Sequence, residues 1–422
     1  MPLENKVALS RTQKACIFLW VLLLGVTEQS LTVIRAVEIP ASESRNTKAS
    51  VGKFLDLGLG LFIHWSVDVQ HGAVISHSLV GADREYRERY FQQLPSTFNP
   101  TKYNPEEWAE LAKQCGFKYA VLTVKHHNGF CLWPTKTTPF AVQTTRYGKD
   151  LVGPYVEAFR NEELQVGFYF SPEDFWFLHE QGHIPARSPA HGYTQPSQNA
   201  ELAKYVKRQV QELLTNYSPI DIWFFDSVEP PSELKNLVWD TRPGSMITRG
   251  ALATPEQQMP SESMDEPWEA CFTMGDQWQY RGTNEKYKSA RELIELLIET
   301  RSLGGNLLLN IGPNAQGKIP AEQEAIMREI GLWLMINGEA IYNVRPWNVS
   351  SEGDIYFTKA KDDSAVYLFL TGEHPWPLGQ RREFLVKNVR LSKNSEAKVL
   401  GHSGEVLEYH PEASSEVLVE RR

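Results

Sequence analysis

Between residues 59 and 312 the chain alternates short apolar runs with stretches whose apolar residues recur every three or four positions. The runs "LGLFIHW" (59–65), "YAVLTVKHH" (119–127), "VGFYFS" (166–171), "DIWFFD" (221–226), "MITRG" (246–250), "ACFTM" (270–274) and "NLLLNIG" (306–312) predict strands buried on both faces. Helical patterns lie between them. "NPEEWAELAKQCG" opens on a cap at Asn104 with Pro105 in the first turn. "QNAELAKYVKRQVQELLTNY" (198–217) and "YKSARELIELLIETRSLGG" (287–305) follow the helical period, the second stopping at Gly304 and Gly305. A further helix is expected from 321 to about 337.

Repeated strand–helix units predict a parallel sheet, closed as a (β/α)8 barrel or open and doubly wound. No glycine-rich phosphate loop follows a strand, which weakens the nucleotide-binding option. A barrel carries its chemistry at the C-terminal ends of its strands. Here those ends read His64, His126, His127, Ser171, Asp226 and Arg249. Past residue 347 the texture changes to short β runs separated by Gly, Pro and Asn, which predicts a small antiparallel β domain over 348–422.

Composition narrows the partners. The 422 residues carry a net charge of −9, and no basic patch stands out, which argues against nucleic acid or an anionic membrane. Aromatics make up 11% with twelve Trp, which suits either a large core or sugar-stacking platforms. Lys6, Arg11 and Lys14 precede "ACIFLWVLLLGV" (15–26), a run of signal-peptide length and short for a membrane span. Residues 1–36 are therefore set aside as an export leader, a signal anchor being the alternative. Cys115, Cys131 and Cys271 sit in apolar stretches without metal-binding spacing, and buried thiols are expected.

Two acids flank the fourth run. Asp221 lies at its entry and reads as structural; Asp226 lies at its exit, where a neighbouring Arg249 would keep it ionised as a nucleophile must be. Retaining glycoside hydrolysis needs a second carboxyl about 5–5.5 Å away. Glu256 and Glu269 are the candidates, and each has a plain structural reading: a first-turn Glu after Pro255, and a buried strand residue after Trp268. Glu229 is a more remote choice. His64, His126 and His127 could equally be hydrogen-bonded core or loop residues.

Taken together, "GLFIHW", "FNPTKYNPEEWAELAKQCGFKYAVLTVKHHNGFCLWPTKTT", "GFYFS", "IDIWFFD", "TPEQ", "WEACFTMGDQW", "GGNLLLNIGPNAQGKIP" and "GLWLMINGEAIY" resemble glycoside hydrolase family 29, the α-L-fucosidases. The resemblance implies a (β/α)8-like barrel over 37–347 with a C-terminal antiparallel β-sandwich over 348–422. It also implies retaining release of terminal α-L-fucose from a glycan, without a cofactor or metal. It marks Asp226 as nucleophile and Glu256 as acid/base, with Glu269 as the alternative or a substrate contact. His64, His126, His127 and Arg249 match sugar-site positions, and Tyr86 is expected to contact the substrate with them. The chain departs from the pattern at "REYRERY", where Tyr86 stands in a Trp position, at Asn128, at Ser227 and in "SVDVQHGAVISHSLVGAD" (66–83), whose His71 and His77 have no counterpart. A related α-L-galactosidase and a silent sugar-binding protein are the alternative readings.

Overall fold

The computed structural model describes residues 44–185, 195–227, 230–372, 382–390, 395–402, 409–411 and 417–421. The expected leader, Glu229 and parts of the expected β domain, among them 403–408, lie outside the described residues. Seven parallel strands form one sheet: β1 (Leu59–Ile63), β2 (Tyr119–Lys125), β3 (Gln165–Phe170), β4 (Ile222–Phe225), β5 (Met246–Ile247), β6 (Glu269–Thr273) and β7 (Asn306–Ile311). Their order is β5-β4-β3-β2-β1-β7-β6. Each of the seven apolar runs holds a strand, but the fifth is paired over two residues only.

The gap between β5 and β6 is filled by residues 252–257. Leu252 bridges Arg249, while Ala253 and Glu256 bridge Trp268 and Cys271 in parallel fashion. The Glu269 and Cys271 amides donate to the Ala253 and Pro255 carbonyls. This irregular stretch stands in the eighth position of the barrel. No apolar alternation announces it, because Pro255 cannot donate to a ladder and Thr254 and Glu256 are polar.

Side chains divide cleanly between two cores. Phe62, Tyr119, Val121, Tyr169, Ile222, Phe224, Met246, Leu252, Cys271 and Leu308 fill the barrel interior. Leu61, Ile63, Leu122, Val124, Phe168, Phe170, Trp223 and Phe225 face outward. The outer layer is α1 (Lys48–Leu57), α2 (Arg84–Thr97), α3 (Pro105–Gln114), α4 (Val152–Asn161), α5 (Phe175–Glu180), α6 (Ala200–Tyr217), α7 (Ser232–Thr241), α8 (Ala290–Ser302) and α9 (Ala321–Asn337). The Asn104 cap is the one the sequence signals. The Asn104 side chain accepts from the Glu107 amide to start α3, and Ser289 with Glu292 forms a capping box on α8. Gly304 closes α8 at φ +89°, and a Cβ on Gly305 would lie 2.4 Å from the Trp268 ring. Two glycines are thus required there, one for its backbone angle and one for close approach.

The C-terminal part holds two antiparallel sheets. One is β8 (Val344–Glu352), β9 (Ile355–Ala360) and β10 (Val366–Leu370) in the order β10-β9-β8; the other is β11 (Arg382–Val386), β12 (Tyr409–Pro411) and β13 (Val417–Arg421) in the order β11-β13-β12. Ile355 and Phe357 of β9 share a small core with Val386 of β11 and with Val389. That shared core makes the pair a sandwich. Its first strand starts at Val344, slightly ahead of the boundary expected at 348. The three cysteines are buried and free. Among the described residues no helix is long and apolar enough to cross a membrane.

Candidate active site

Alternation along the strands decides which residues reach the barrel mouth. In β1, Phe62 faces the interior, so His64 does too, and Trp65 turns outward to give its indole proton to the Asn314 carbonyl at 3.1 Å. In β3, Tyr169 faces inward between outward Phe168 and Phe170. In β4, inward Ile222 and Phe224 place Asp226 at the rim.

The second strand is different. Its register with β3 slips between Thr123 and Lys125. The bulge turns Lys125 outward, where its ammonium meets Asp174 at 3.1 Å and Gln209 at 3.0 Å. His126 therefore points in and stacks on the Tyr169 ring at 5.2 Å, 2° from parallel. His127, just past the strand, also turns inward, 4.3 Å from His126 ring to ring.

Asp226 is the most heavily bonded of these groups. Its Oδ1 accepts from Arg249 Nη1 at 2.8 Å, and its Oδ2 accepts from the Tyr169 hydroxyl at 2.6 Å. His127 Nε2 lies 3.3 Å from the same Oδ2. Burial alone would push this carboxyl up. The Arg249 charge and the bonds from His127 and Tyr169 outweigh it and hold the group well below the ordinary carboxylate range. Burial likewise opposes the Arg249 charge, but Asp226 and Glu256 keep that group firmly protonated.

Arg249 also joins the second carboxylate. Its Nη1 and Nη2 each donate to Glu256 Oε2 at 3.0 Å. The guanidinium is fixed by Nε to Thr254 Oγ1 at 3.0 Å and by its position 4.7 Å above the Phe224 ring. Nη1 thus bonds one oxygen of Asp226 and one of Glu256, and those two bond lengths cap the separation of the oxygens at about 6 Å, close to the spacing of retaining glycosidases. Asp226 is largely shielded, whereas Glu256 lies at the open side.

The histidines continue the cluster from Asp226. Asn310 gives its amide proton to the Trp278 carbonyl at 2.6 Å, so its oxygen accepts from His64 Nδ1 at 2.6 Å and leaves Nε2 of His64 as an acceptor. Burial lowers the His64 pKa to about 3 against the opposing pull of Asn310 and Asp226. Burial, with neighbouring His127 and His64, holds His126 well below its usual value. Its Nδ1 is anchored on Ser76 Oγ at 2.7 Å. Trp278 lies 4.9 Å from the His64 ring and adds an apolar wall. Neutral imidazoles beside an aromatic face can take up the hydroxyls and one C–H face of a single sugar ring.

Two of the expected site residues fall elsewhere. Glu269 is the first residue of β6, at the entry end of the barrel, where Tyr119 donates to it at 2.7 Å; burial raises its pKa to about 7. This placement favours the structural reading of Glu269 over that of acid/base or sugar contact. Tyr86 sits in the first turn of α2, its amide held by Asp83 and its ring packed 6.2 Å from that of Tyr90, with no bond to the carboxylates or histidines of the cluster among the described contacts. Asp221 accepts from the Val166 amide at 3.0 Å at the strand's entry end, a structural duty. Sequence reasoning missed Tyr169, Trp278 and Asn310; inward alternation in "VGFYFS" could have exposed the first. His126, His127 and Asp226 place ligand atoms within 4.8 Å of one another.

A parallel barrel with two carboxyl groups close together at its C-terminal mouth fits the two-carboxyl chemistry of a retaining glycosidase. A sequence profile described as Alpha-L-fucosidase matches residues 27–339. The chain is 29% identical to the plasma alpha-L-fucosidase of Rattus norvegicus, over 96% of this chain and 94% of that one. It is 31% identical to the alpha-L-fucosidase of Branchiostoma floridae over 68% of each. Among solved structures, an alpha-L-fucosidase from Bacteroides thetaiotaomicron superposes with a TM-score of 0.73 and 26% identity, covering 90% and 96% of the two chains. That structure is a covalent intermediate trapped with 2-fluoro-fucosyl fluoride in a Glu-to-Gln variant. The Thermotoga maritima alpha-fucosidase with bound fucose gives 0.72 and 26%, over 88% and 93%. The chain belongs to the α-L-fucosidase family.

Proposed function

We propose that the protein releases terminal α-L-fucose from fucosylated glycans by double displacement, with Asp226 as nucleophile and Glu256 as acid/base. The observation that carries this is the shared clamp: Arg249 bonds both carboxylates through Nη1. In the first step an Asp226 oxygen forms a bond to the anomeric carbon while the glycosidic C–O bond breaks and Glu256 gives its proton to the leaving oxygen. In the second, Glu256 takes a proton from water, the water oxygen bonds the same carbon, and the Asp226 carboxylate departs. Inversion at each step returns the original configuration. His64, His126, His127 and Arg249 hold the sugar.

The barrel, residues 37–347, is assigned the chemistry and the sandwich, 348–422, a supporting role. Residues 1–36 are assigned as an export leader, which fits relatives named plasma and tissue fucosidases. The test is a panel of aryl glycosides. Turnover of the α-L-fucoside, lost by about a thousandfold or more in Asp226→Asn, supports the reading. Preference for the α-L-galactoside would change the sugar, and fucose binding without turnover would make this a sugar-binding protein.

A further inference from the structure

One buried acid at the mouth has no part in the reaction above. Glu173 follows β3 in "SPED" and is only 5% exposed. Its Oε1 accepts from Gln195 Nε2 at 2.7 Å. Its Oε2 is enclosed and accepts no hydrogen bond among the described residues. That oxygen lies 3.8 Å from His127 Nδ1. Glu173 has no ion pair with a Lys or Arg among the described residues, so His127 is the ring placed to balance it. A buried carboxylate without a cation is costly, and a protonated imidazole relieves it.

The hydrogen-bond directions around His127 lead to the same place. The Ser171 hydroxyl gives its proton to the Glu173 carbonyl at 3.1 Å. Its oxygen is then free to accept, and His127 Nδ1 stands 2.6 Å away as the donor. On the other side of the ring, Nε2 faces Asp226 Oδ2 at 3.3 Å. Both ring nitrogens therefore face acceptors. A neutral ring with its proton on Nδ1 would turn a lone pair toward the Asp226 carboxylate, which is repulsive. Among the described residues the rings packed on it are His126 at 4.3 Å, His77 at 6.5 Å and Phe175 at 5.9 Å, and the charged Arg249 shares the Asp226 carboxylate with it through Oδ1.

We propose that Glu173 is a positioning residue that keeps His127 doubly protonated, so that His127 donates to the nucleophile through Nε2. This rests on the reading of Asp226 as nucleophile. Its value lies in the second displacement, where Asp226 must leave the anomeric carbon as a carboxylate. Tyr169 and His127 both donate to Oδ2 and stabilise the charge that develops there. The same network reaches the residue after the nucleophile: Ser227 Oγ donates to Gln195 Oε1 at 2.7 Å, and Gln195 holds Glu173. The serine at position 227 thereby gains a purpose, linking the nucleophile's own loop to the group that charges its histidine.

The experiment is nitrogen–proton NMR of the histidine rings in the full chain at neutral pH, with His127 assigned by His127→Asn, for the wild type and Glu173→Gln. The wild type is expected to show both His127 nitrogens protonated, and Glu173→Gln to show one bare nitrogen with an unchanged melting midpoint. Turnover in Glu173→Gln should fall about tenfold with KM not raised, because the loss falls on departure of the nucleophile. A bare Nε2 in the wild type overturns the proposal without any variant. So does a Glu173→Gln spectrum identical to the wild type. Should Glu173→Gln fail to fold, Glu173→Asp, which keeps the charge, must retain both protons; a bare nitrogen there also overturns it. Trapping of the sugar on a residue other than Asp226 would remove the role of this pair in catalysis, while the ring protonation would still stand or fall on the spectra.

Discussion

Replacing His64 by Gln removes a buried imidazole that cannot easily take up a second proton. Burial is the main cause of its low pKa, about 3, and the Asn310 bond and the Asp226 charge only partly offset it. The unfolded chain protonates this ring near pH 6.5. Between these values the unfolded state holds more protons than the folded one, so stability is intact above about pH 6.5 and is lost as the pH falls. At about pH 4.5, two pH units under the ordinary value, keeping this one ring neutral costs about 3 kcal/mol. Gln does not titrate. Urea unfolding followed by Trp fluorescence at about pH 7.5 and about pH 4.5 should therefore show the wild type losing about 3 kcal/mol more than His64→Gln. His126 works in the same direction and Glu269 in the opposite one, but both remain in each protein and cancel in the difference. Equal acid losses in the two proteins would refute the reasoning.

Arg249→Met should cut turnover by about a hundredfold or more, and its pH–activity profile should lose the acid side: without the guanidinium the Asp226 carboxyl rises, so its ionised form appears only at higher pH. An acid limb left where it was would show that Arg249 does not set that ionisation. Glu256→Ala should lose turnover of an aryl fucoside with a good leaving group, because water is no longer activated in the second step, and regain it with azide, while Glu269→Gln should keep its activity. Rescue of Glu269→Ala instead would exchange the two assignments. Glu269→Gln should also gain stability relative to the wild type as the pH rises from about 4.5 to about 7, where the unfolded chain ionises this acid and the folded one keeps it protonated; equal pH dependence in denaturant melts over that range would contradict that.

Most of the barrel was legible because its strands are buried on both faces. Such strands read as unbroken apolar runs, and all seven of them carried that signal. The eighth position did not, since residues 252–257 pair through scattered bonds around Pro255 and carry no period. The site was partly legible by position: polar residues at strand exits mark chemistry, which singled out His64, Asp226 and Arg249. The same logic, applied to Glu269, would have set it aside, because it stands before the apolar run of β6 and so at the entry end. Asp221 was set aside by that argument and is structural. The inward turn of both His126 and His127 depends on a bulge between Thr123 and Lys125 that no residue type in the run announces. Tyr169 hid inside a run that read only as a strand. Glu173 was invisible for another reason: its significance lies in what faces it from His127 and Gln195, and sequence spacing does not bring those groups together.

The central claim is that Asp226 forms the covalent bond to the sugar. Incubation with 2-fluoro-fucosyl fluoride, followed by proteolysis and mass spectrometry, measures it directly. The account predicts one fluorofucosyl group on the peptide holding Asp226, and none in Asp226→Asn. A label on any other residue, or turnover of an aryl α-L-fucoside by Asp226→Asn at the wild-type rate, would contradict it.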